Sequence, residues 1–366
     1  MRRFFVAVVL LAAHSAAAQC PCYSVSTTPN TYQCGIEATP GTNPTVADWQ
    51  PIFLKVAGGP QRWGTDGPAL SAIASGCGHP VVTTQISPVF PCELLQAIAM
   101  NESGWRQFCA PTTPASQKGL SSRTIISFDC GYGIGQVTSG MHIGDMPTFD
   151  RARVAGEPAY NLATGAQILG GKWRATACVG DRQPSLVEDW YIATWAYNGL
   201  AAINDPNNAS YDTMRPICNP NLGCPMRPYQ ERVFGWMEHP PTAAHWPVLA
   251  PAYPDRASFK YDSNGRPLAL PEPTCAGPTD CTKSRSTHVS RCLGTNPPDA
   301  GQPSDGGEPA PSVSDGGQDI SDGGDGPGQG HGCQCDFGGT SHRSGGQPWV
   351  LFALLVMVLC RRARSA

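Results

Sequence analysis

The chain has little charge for its length, and this shortage limits what it can bind. Only 14% of its 366 residues are Asp, Glu, Lys or Arg, against about a quarter in an average soluble protein. The formal net charge is −3, which gives no reason to expect nucleic acid as a partner. Polar but uncharged loops must therefore cover much of the surface.

The chain is also poor in the alternating apolar and polar stretches that are typical of strands. Apolar residues instead recur at helical spacing, which predicts a mainly α body. The expected helical segments are 48–56, 67–74, 91–100, 161–178, 185–197 and 229–237. Asn161 is the expected cap of the fourth segment, and Ser185 with Glu188 forms the expected capping box of the fifth.

Patterns that bind metals or cofactors are missing. No set of four closely spaced ligands, such as a C-x2-C pair with histidine nearby, has the spacing of a zinc site. The Gly-rich run at 131–136 lacks the G-x-G-x-x-G order and the βαβ context of a dinucleotide site. A Cys–His peptidase would need a cysteine at a helix start with a partner histidine, and no cysteine has that context. We therefore expect no metal and no cofactor.

What the chain has in quantity is cysteine, with 16 residues. Residues 1–18 have the basic start, the apolar run and the Ala-x-Ala end of a secretory signal peptide. In an exported protein the cysteines are expected to form disulfides, although sequence alone does not fix their connectivity. Cys218 and Cys224 are close enough to close a small loop. A bond between Cys109 and Cys130 would pin the loop that they bracket.

Composition divides the rest of the chain. Residues 19–45 form a Cys- and Pro-rich extension, residues 46–250 the helical body, and residues 251–298 a Cys-containing extension without long periodic segments. Residues 299–332 repeat Ser-Asp-Gly-Gly three times and are rich in Gly, Pro, Ser and Asp. Such a segment cannot bury a core, so we expect a disordered linker. Residues 333–366 form a separate tail.

Three short motifs follow one another in the helical body. Ala-Met-Asn-Glu-Ser-Gly-Trp at 99–105 closes an apolar helical segment and places Glu102 where that helix ends. Asp-Cys-Gly-Tyr-Gly-Ile-Gly-Gln at 129–136 is a Gly-rich turn, and Ala-Tyr-Asn at 196–198 ends another predicted helix. Burial among apolar neighbours favours the protonated form of a carboxyl group, which is the form that a general acid needs.

In this order the motifs resemble those of the soluble lytic transglycosylase and goose-type lysozyme group, which cuts the glycan strands of bacterial peptidoglycan. The resemblance covers roughly residues 85–200. It implies a lysozyme-like α domain with irregular disulfide-tied extensions, in which Glu102 is catalytic. The residues that it implies in substrate binding are Ser103, Gly133, Ile134, Gln136, Tyr197 and Asn198. The family's Gly-Leu-Met-Gln turn is Gly-Ile-Gly-Gln here, with Gly135 in place of Met.

The resemblance implies cleavage of the β-1,4 bond between N-acetylmuramic acid and N-acetylglucosamine. In a lytic transglycosylase one Glu acts as acid and then as base, because the 6-hydroxyl of the substrate attacks and leaves an anhydro end. A lysozyme-type hydrolase would need a second carboxylate to orient water, and Asp129 and Asp145 are the nearby candidates. We favour the lyase. A glycan-binding surface module without activity is the remaining alternative, and the intact Glu102 argues against it.

The tail contains Cys333 and Cys335, an apolar run of 12 residues at 349–360 and a terminal Arg cluster. A helix of that length spans about 18 Å, short of the roughly 30 Å hydrocarbon core of a bilayer. The tail resembles the C-terminal sorting tails of myxobacterial surface proteins. This implies that residues 336–366 are removed and that Cys333 or Cys335 carries the anchor. The alternative is a plain short membrane anchor. In either case we expect a protein of the cell surface or outer envelope, tethered to a membrane at its C-terminus.

Overall fold

A computed structural model describes residues 34–109, 122–127, 129–224 and 226–293. This part of the chain is mainly helical, as predicted. Its α-helices are α1 (Val46–Ala57), α2 (Pro60–Trp63), α3 (Cys92–Ser103), α4 (Arg151–Gly156), α5 (Pro158–Ala175), α6 (Tyr191–Tyr197) and α7 (Tyr229–Glu238). Its strands form two short antiparallel pairs, β1 (Ile73–Ser75) with β2 (Thr84–Ile86) and β3 (Phe108–Cys109) with β4 (Arg123–Thr124).

Several predictions lie outside the described residues. They are the signal peptide, most of the N-terminal extension, the linker at 299–332 and the tail with Cys333 and Cys335. Within the described ranges, no helix is long and apolar enough to span a membrane.

Helix α3 lies at the centre of the larger core. All of its residues are buried except Asn101, as expected of a helix with apolar residues on every face. Helices α1 and α7 pack directly against α3, and α5 packs against α1 and α6. Large aromatic side chains fill the spaces between these helices: Trp49, Phe53, Trp63, Phe90, Trp105, Trp173, Trp190, Tyr191, Trp195 and Phe234. The central position of α3 fixes its last turn, which carries Glu102, within the packed interior.

The first turn of α3 is held by residues from the far end of the described chain. The hydroxyl of Ser290 accepts a hydrogen bond from the Cys92 N–H at 3.3 Å. The buried carboxylate of Glu93 accepts hydrogen bonds from the same hydroxyl at 2.7 Å and from the Arg291 N–H at 2.9 Å. A disulfide joins Cys92 to Cys292. These contacts replace a conventional N-cap, since no side chain of the preceding residue bonds to this turn.

The predicted segments 48–56, 91–100 and 229–237 are confirmed as α1, α3 and α7. The helix predicted at 67–74 is wrong, because its last two residues belong to β1 and the preceding stretch is irregular. The carbonyl of Pro68 accepts a hydrogen bond from the indole of Trp63 at 3.1 Å, so it is not part of a helical ladder. An apolar run of this length does not distinguish a helix from a strand.

Two predicted helix starts are also wrong. Helix α5 begins at Pro158, a residue well suited to a first helical position. Asn161 therefore lies inside the helix, and it is fully buried. Helix α6 begins at Tyr191, after a 3₁₀ turn, and Ser185 does not cap it. The carboxylate of Glu188 instead accepts the N–H of His288 at 2.8 Å, so a tertiary contact takes the place of the predicted capping box.

A second, smaller core surrounds the Gly-rich turn. It consists of Cys34, Ala38, Ile126, Cys130, Tyr132, Val137, Met141, Val154, Ala155 and Tyr160. The predicted Cys109–Cys130 disulfide is wrong, because Cys130 is bonded to Cys34. The segment after Cys34 lies against the turn, where the Tyr132 hydroxyl donates to the carbonyl of Ile36 at 2.6 Å. The predicted Cys218–Cys224 disulfide is confirmed.

Candidate active site

Glu102 lies in the last turn of α3. The helix ends after Ser103, at Gly104, which has the left-handed conformation. The residue is 7% exposed. The hydroxyl of Tyr229, at the start of α7, donates a hydrogen bond to Oε1 of Glu102. Burial raises the pKa of Glu102 to about 7, against the opposing effects of the Tyr229 hydrogen bond and the positive charge of Arg232.

A carboxyl group with a pKa near 7 can donate a proton at neutral pH, and its conjugate base can accept one. The Tyr229 hydroxyl and the Arg232 charge both favour the ionised form of Glu102, so they would stabilise the carboxylate once the proton has left. The guanidinium of Arg232 lies 5.8 Å from the centroid of the Tyr229 ring. The Nε of Arg232 is buried without a hydrogen-bond partner, and the positive charge of this side chain acts on the Glu102 carboxyl group.

Two side chains bring the three sequence motifs together. The hydroxyl of Ser103, next to Glu102, donates to the carbonyl of Ile134 at 3.0 Å. The hydroxyl of Tyr197 donates to the carbonyl of Gly135 at 2.7 Å. Burial, and then the negative charge of Glu102, raise the pKa of Tyr197 above its ordinary range, so this hydroxyl stays protonated. The Gly-rich turn is thus hydrogen-bonded both to the helix that carries Glu102 and to α6.

Two buried amides complete the attachment of the turn. Gln107 accepts the N–H of Ile134 through Oε1 at 3.0 Å, and Asn161 accepts the N–H of Gly135 through Oδ1 at 2.9 Å. At Gly133, which has a φ of +64°, a Cβ atom would lie 2.1 Å from Oε1 of Gln107. Glycine is therefore required at this position, both for the backbone conformation and for the close approach.

Gly135 lies close to side chains of α5 and α6. A Cβ atom there would lie 3.3 Å from Oδ1 of Asn161 and 3.4 Å from the Tyr197 hydroxyl. It would also lie 3.7 Å from the Cα of Gly165 in α5. At Gly135 the turn therefore lies in close contact with α5.

The residues predicted to bind substrate divide into two groups. Ser103 and Ile134 are buried and hold the turn in place. Gln136, Tyr197 and Asn198 are partly exposed. The side-chain amide of Gln136 donates to the carbonyl of Gly133 at 2.8 Å, and Oδ1 of Asn198 accepts from the Asn204 amide at 2.8 Å. The members of the second group are thus oriented by contacts within the protein while they remain accessible.

The two candidate second carboxylates have different surroundings. The negative charge of Asp129 contributes to the raised pKa of Glu102, so this carboxylate lies within electrostatic range of the site. It accepts a hydrogen bond from the hydroxyl of Ser127. Asp145 instead accepts the N–H of His142 at 2.9 Å, and its charge does not contribute to the raised pKa of Glu102. Of the two carboxylates, only Asp129 contributes to the electrostatic environment of Glu102.

Sequence reasoning missed several residues of this site. Tyr229 and Arg232 are three positions apart at the start of a predicted helix, so a shared face could have been inferred. Nothing in the sequence connects that face with Glu102. Gln107 and Asn161 belong to no motif, and their roles depend on a turn that approaches them from another part of the chain.

Removing the Tyr229 hydroxyl should raise the pKa of Glu102 further. The hydrogen bond from this hydroxyl lowers the pKa, so in Tyr229→Phe we expect the titration midpoint to move to higher pH. Titration of ¹³C-labelled glutamate by NMR would measure it, with Glu102→Gln identifying the resonance. Tyr197→Phe is the matched control, since its hydroxyl bonds to a carbonyl instead. Equal midpoints in Tyr229→Phe and the unaltered protein would contradict this assignment.

One group of three potential metal ligands occurs among the described residues, and its members already bond to other protein groups. Cys92, Glu93 and Cys292 offer atoms within 4.8 Å of one another. The two cysteines form a disulfide, and the carboxylate is hydrogen-bonded to Ser290 and Arg291. This group therefore ties two parts of the chain together.

We also compared the chain with known proteins. No family model, no curated protein and no solved structure matches it.

Proposed function

We propose that this chain is a lysozyme-like enzyme that cleaves the β-1,4 bond between N-acetylmuramic acid and N-acetylglucosamine in peptidoglycan. The observation that carries the proposal is the buried carboxyl of Glu102, with its pKa of about 7. Its support comes from the Gly-rich turn, which Ser103 and Tyr197 tie to the helix of Glu102 and to α6.

In the proposed reaction the protonated carboxyl of Glu102 gives its proton to the glycosidic oxygen as the bond to the anomeric carbon breaks. The carboxylate that remains is stabilised by the hydroxyl of Tyr229 and the charge of Arg232. It then accepts the proton of the substrate's 6-hydroxyl while that oxygen bonds to the anomeric carbon. The products are a 1,6-anhydro end and a free 4-hydroxyl, and no water is consumed.

Asp129 favours a second candidate, a hydrolase that inverts the anomeric centre. Inverting glycosidases place two carboxyl groups about 6.5–9.5 Å apart, with a water molecule between them. The electrostatic effect of Asp129 on Glu102 makes it the candidate base. In this version water replaces the 6-hydroxyl as the nucleophile, and the product has an ordinary reducing end.

Mass spectrometry of the products from purified peptidoglycan would test the proposal and separate the two versions. A lyase gives muropeptides that are one water lighter than those of a hydrolase. Asp129→Asn should leave a lyase active and should reduce a hydrolase by about 10²-fold or more. Asp145→Asn is the matched control and should behave like the unaltered protein in both cases. If purified cell walls release no glycan fragment of either kind, the proposed function is wrong.

The proposal includes export and attachment at the cell surface. Disulfides between Cys34 and Cys130 and between Cys92 and Cys292 support export, because such bonds persist in oxidising compartments. Attachment would depend on residues 333–366, and this part of the proposal rests on the sequence of the tail. Intact-mass analysis of the native protein extracted from membranes would decide between a processed tail and one that is retained.

A further inference from the structure

A second group of acidic side chains lies outside the candidate active site, where the segment between α5 and α6 meets the C-terminal extension. The N–H of Gly180 donates to the carbonyl of Leu270 at 3.1 Å, and the N–H of Leu270 donates to the carbonyl of Cys178 at 2.9 Å. The two segments thus run side by side. The cleft beside them is lined by Asp181 and Glu272, among other residues.

Asp189 lies beneath this cleft and is unusual among the buried polar residues. It is only 2% exposed. Its Oδ2 accepts the N–H of Gln183 at 2.6 Å, but its Oδ1 is buried and has no hydrogen-bond partner. Burial, followed by the negative charges of Glu272, Glu188 and Asp181, raises the pKa of Asp189 to about 8. A buried carboxylate oxygen without a partner is costly, so a ligand at this atom would relieve that cost.

Glycine at position 180 allows two of these carboxylates to converge. A Cβ atom on Gly180 would lie 2.0 Å from Oε2 of Glu272 and 2.9 Å from Oδ1 of Asp189. Both distances are measured from one point, so the two oxygens are no more than about 5 Å apart. Two oxygens that bind the same Ca²⁺ at about 2.3–2.6 Å fall within that span.

The convergence is not compensated by basic side chains. Among the ion pairs of the described residues, none includes Asp181, Asp189 or Glu272. Glu188, the remaining acidic neighbour, is paired with His288. Asp181 and Glu272 therefore line a solvent-accessible cleft, and Asp189, buried close to Glu272, has an oxygen that no protein group satisfies.

We propose that Asp189 and Glu272 bind a hard divalent cation of the Ca²⁺ class, with water completing the oxygen shell. The cation would connect the segment before α6 to the C-terminal extension, next to the Cys77–Cys178 disulfide. With two carboxylates and several waters, the affinity should be modest, with a Kd on the order of 10⁻⁴ M. This site is independent of the proposed cleavage of peptidoglycan.

The test uses the full chain, freed of metal with a chelator and then titrated with calcium chloride. Isothermal titration calorimetry should detect one binding event. The melting temperature should rise by about 3–6 °C when free Ca²⁺ exceeds Kd about ten-fold. Glu272→Gln should lose both effects; because Glu272 is exposed, this substitution should not disturb the fold. Asp189→Asn is the second variant, and Glu37→Gln, another exposed glutamate, is the matched control.

Three results would overturn the proposal. The first is a melting temperature and a heat of mixing that do not respond to calcium chloride in the unaltered protein. The second is a calcium response of equal size in Glu272→Gln, which would place the ion elsewhere. The third is stabilisation by acid alone without any calcium effect, which would mean that Asp189 and Glu272 share a proton instead of a cation. Cell-wall cleavage plays no part in these readouts, so a failure of the proposed function would not change them.

Discussion

Glu102→Gln should reduce the clearing of purified cell-wall suspensions by about 10²–10⁴-fold, the usual contribution of a general acid. Glutamine has nearly the same shape as glutamic acid but cannot donate the proton or take it back. It can still accept a hydrogen bond from the Tyr229 hydroxyl, so the surroundings of the site should be preserved. The loss of turbidity should be followed at about pH 7, where the carboxyl of the unaltered protein is half protonated.

The stability of the same variant supplies the control for folding. The pKa of Glu102 is higher in the folded protein, about 7, than the ordinary value of 4.5. The folded state therefore loses stability as the pH rises from 4.5 through 7, because the buried group must ionise. Glutamine does not ionise, so Glu102→Gln should be more stable than the unaltered protein above pH 7, by about 1–3 kcal/mol. Below about pH 4.5 the difference should vanish.

Two outcomes would count against the assignment. Clearing at the unaltered rate by Glu102→Gln would show that this residue is not the acid. Clearing by neither protein, in the presence of tight binding to cell walls, would favour the non-catalytic glycan-binding module instead. An inactive variant that is also unfolded at pH 8 would contradict the stability argument.

Loss of the Cys34–Cys130 disulfide should lower the free energy of unfolding strongly. The bond closes a loop across 96 positions, for which the chain-entropy model gives about 4–5 kcal/mol. We expect the double substitution Cys34→Ser, Cys130→Ser to lower the free energy of unfolding by about this amount, as measured by urea denaturation of the oxidised full chain. Because the bond holds the Gly-rich turn, cell-wall cleavage should fall as well.

The Cys218–Cys224 disulfide offers a matched comparison. It closes a loop across only 6 positions, and the same model gives about 2 kcal/mol. Substitution of both cysteines by serine should therefore cost roughly half as much. Since this bond is not part of the Gly-rich turn, cleavage should be retained. Equal losses of stability in the two double variants would contradict the dependence on loop length.

The parts of the site that are close together in sequence could be predicted, and those that depend on distant segments could not. The motif around Glu102 predicted a carboxyl group at a helix end, and α3 ends at Ser103. Tyr229, which bonds to that carboxyl group, comes 127 positions later, and no local pattern connects the two. A hydrogen bond at that separation depends on how α3 and α7 pack, which periodicity does not specify.

Two wrong predictions have the same origin. Asn161 has the side chain of a helix cap, but inside α5 the same amide bonds to Gly135 of the Gly-rich turn. Cys130 pairs with Cys34 in the N-terminal segment, whereas the prediction chose Cys109 because it is nearer along the chain. The residue types indicated correctly that Asn161 would form a hydrogen bond and that Cys130 would form a disulfide. The partner was set by tertiary structure.

The attachment of α3 at its first turn has a consequence for when the protein becomes functional. Cys92 and Cys292 are 200 positions apart, so a chain that emerges from its N-terminus cannot complete this turn until almost all of the described chain is present. Contacts over such separations carry a large loop-closure cost and form late in folding. The disulfide also needs an oxidising compartment. If the protein is exported as proposed, the helix that carries Glu102 would reach its final state only after export, and maturation, not synthesis, would set the moment at which the proposed activity begins.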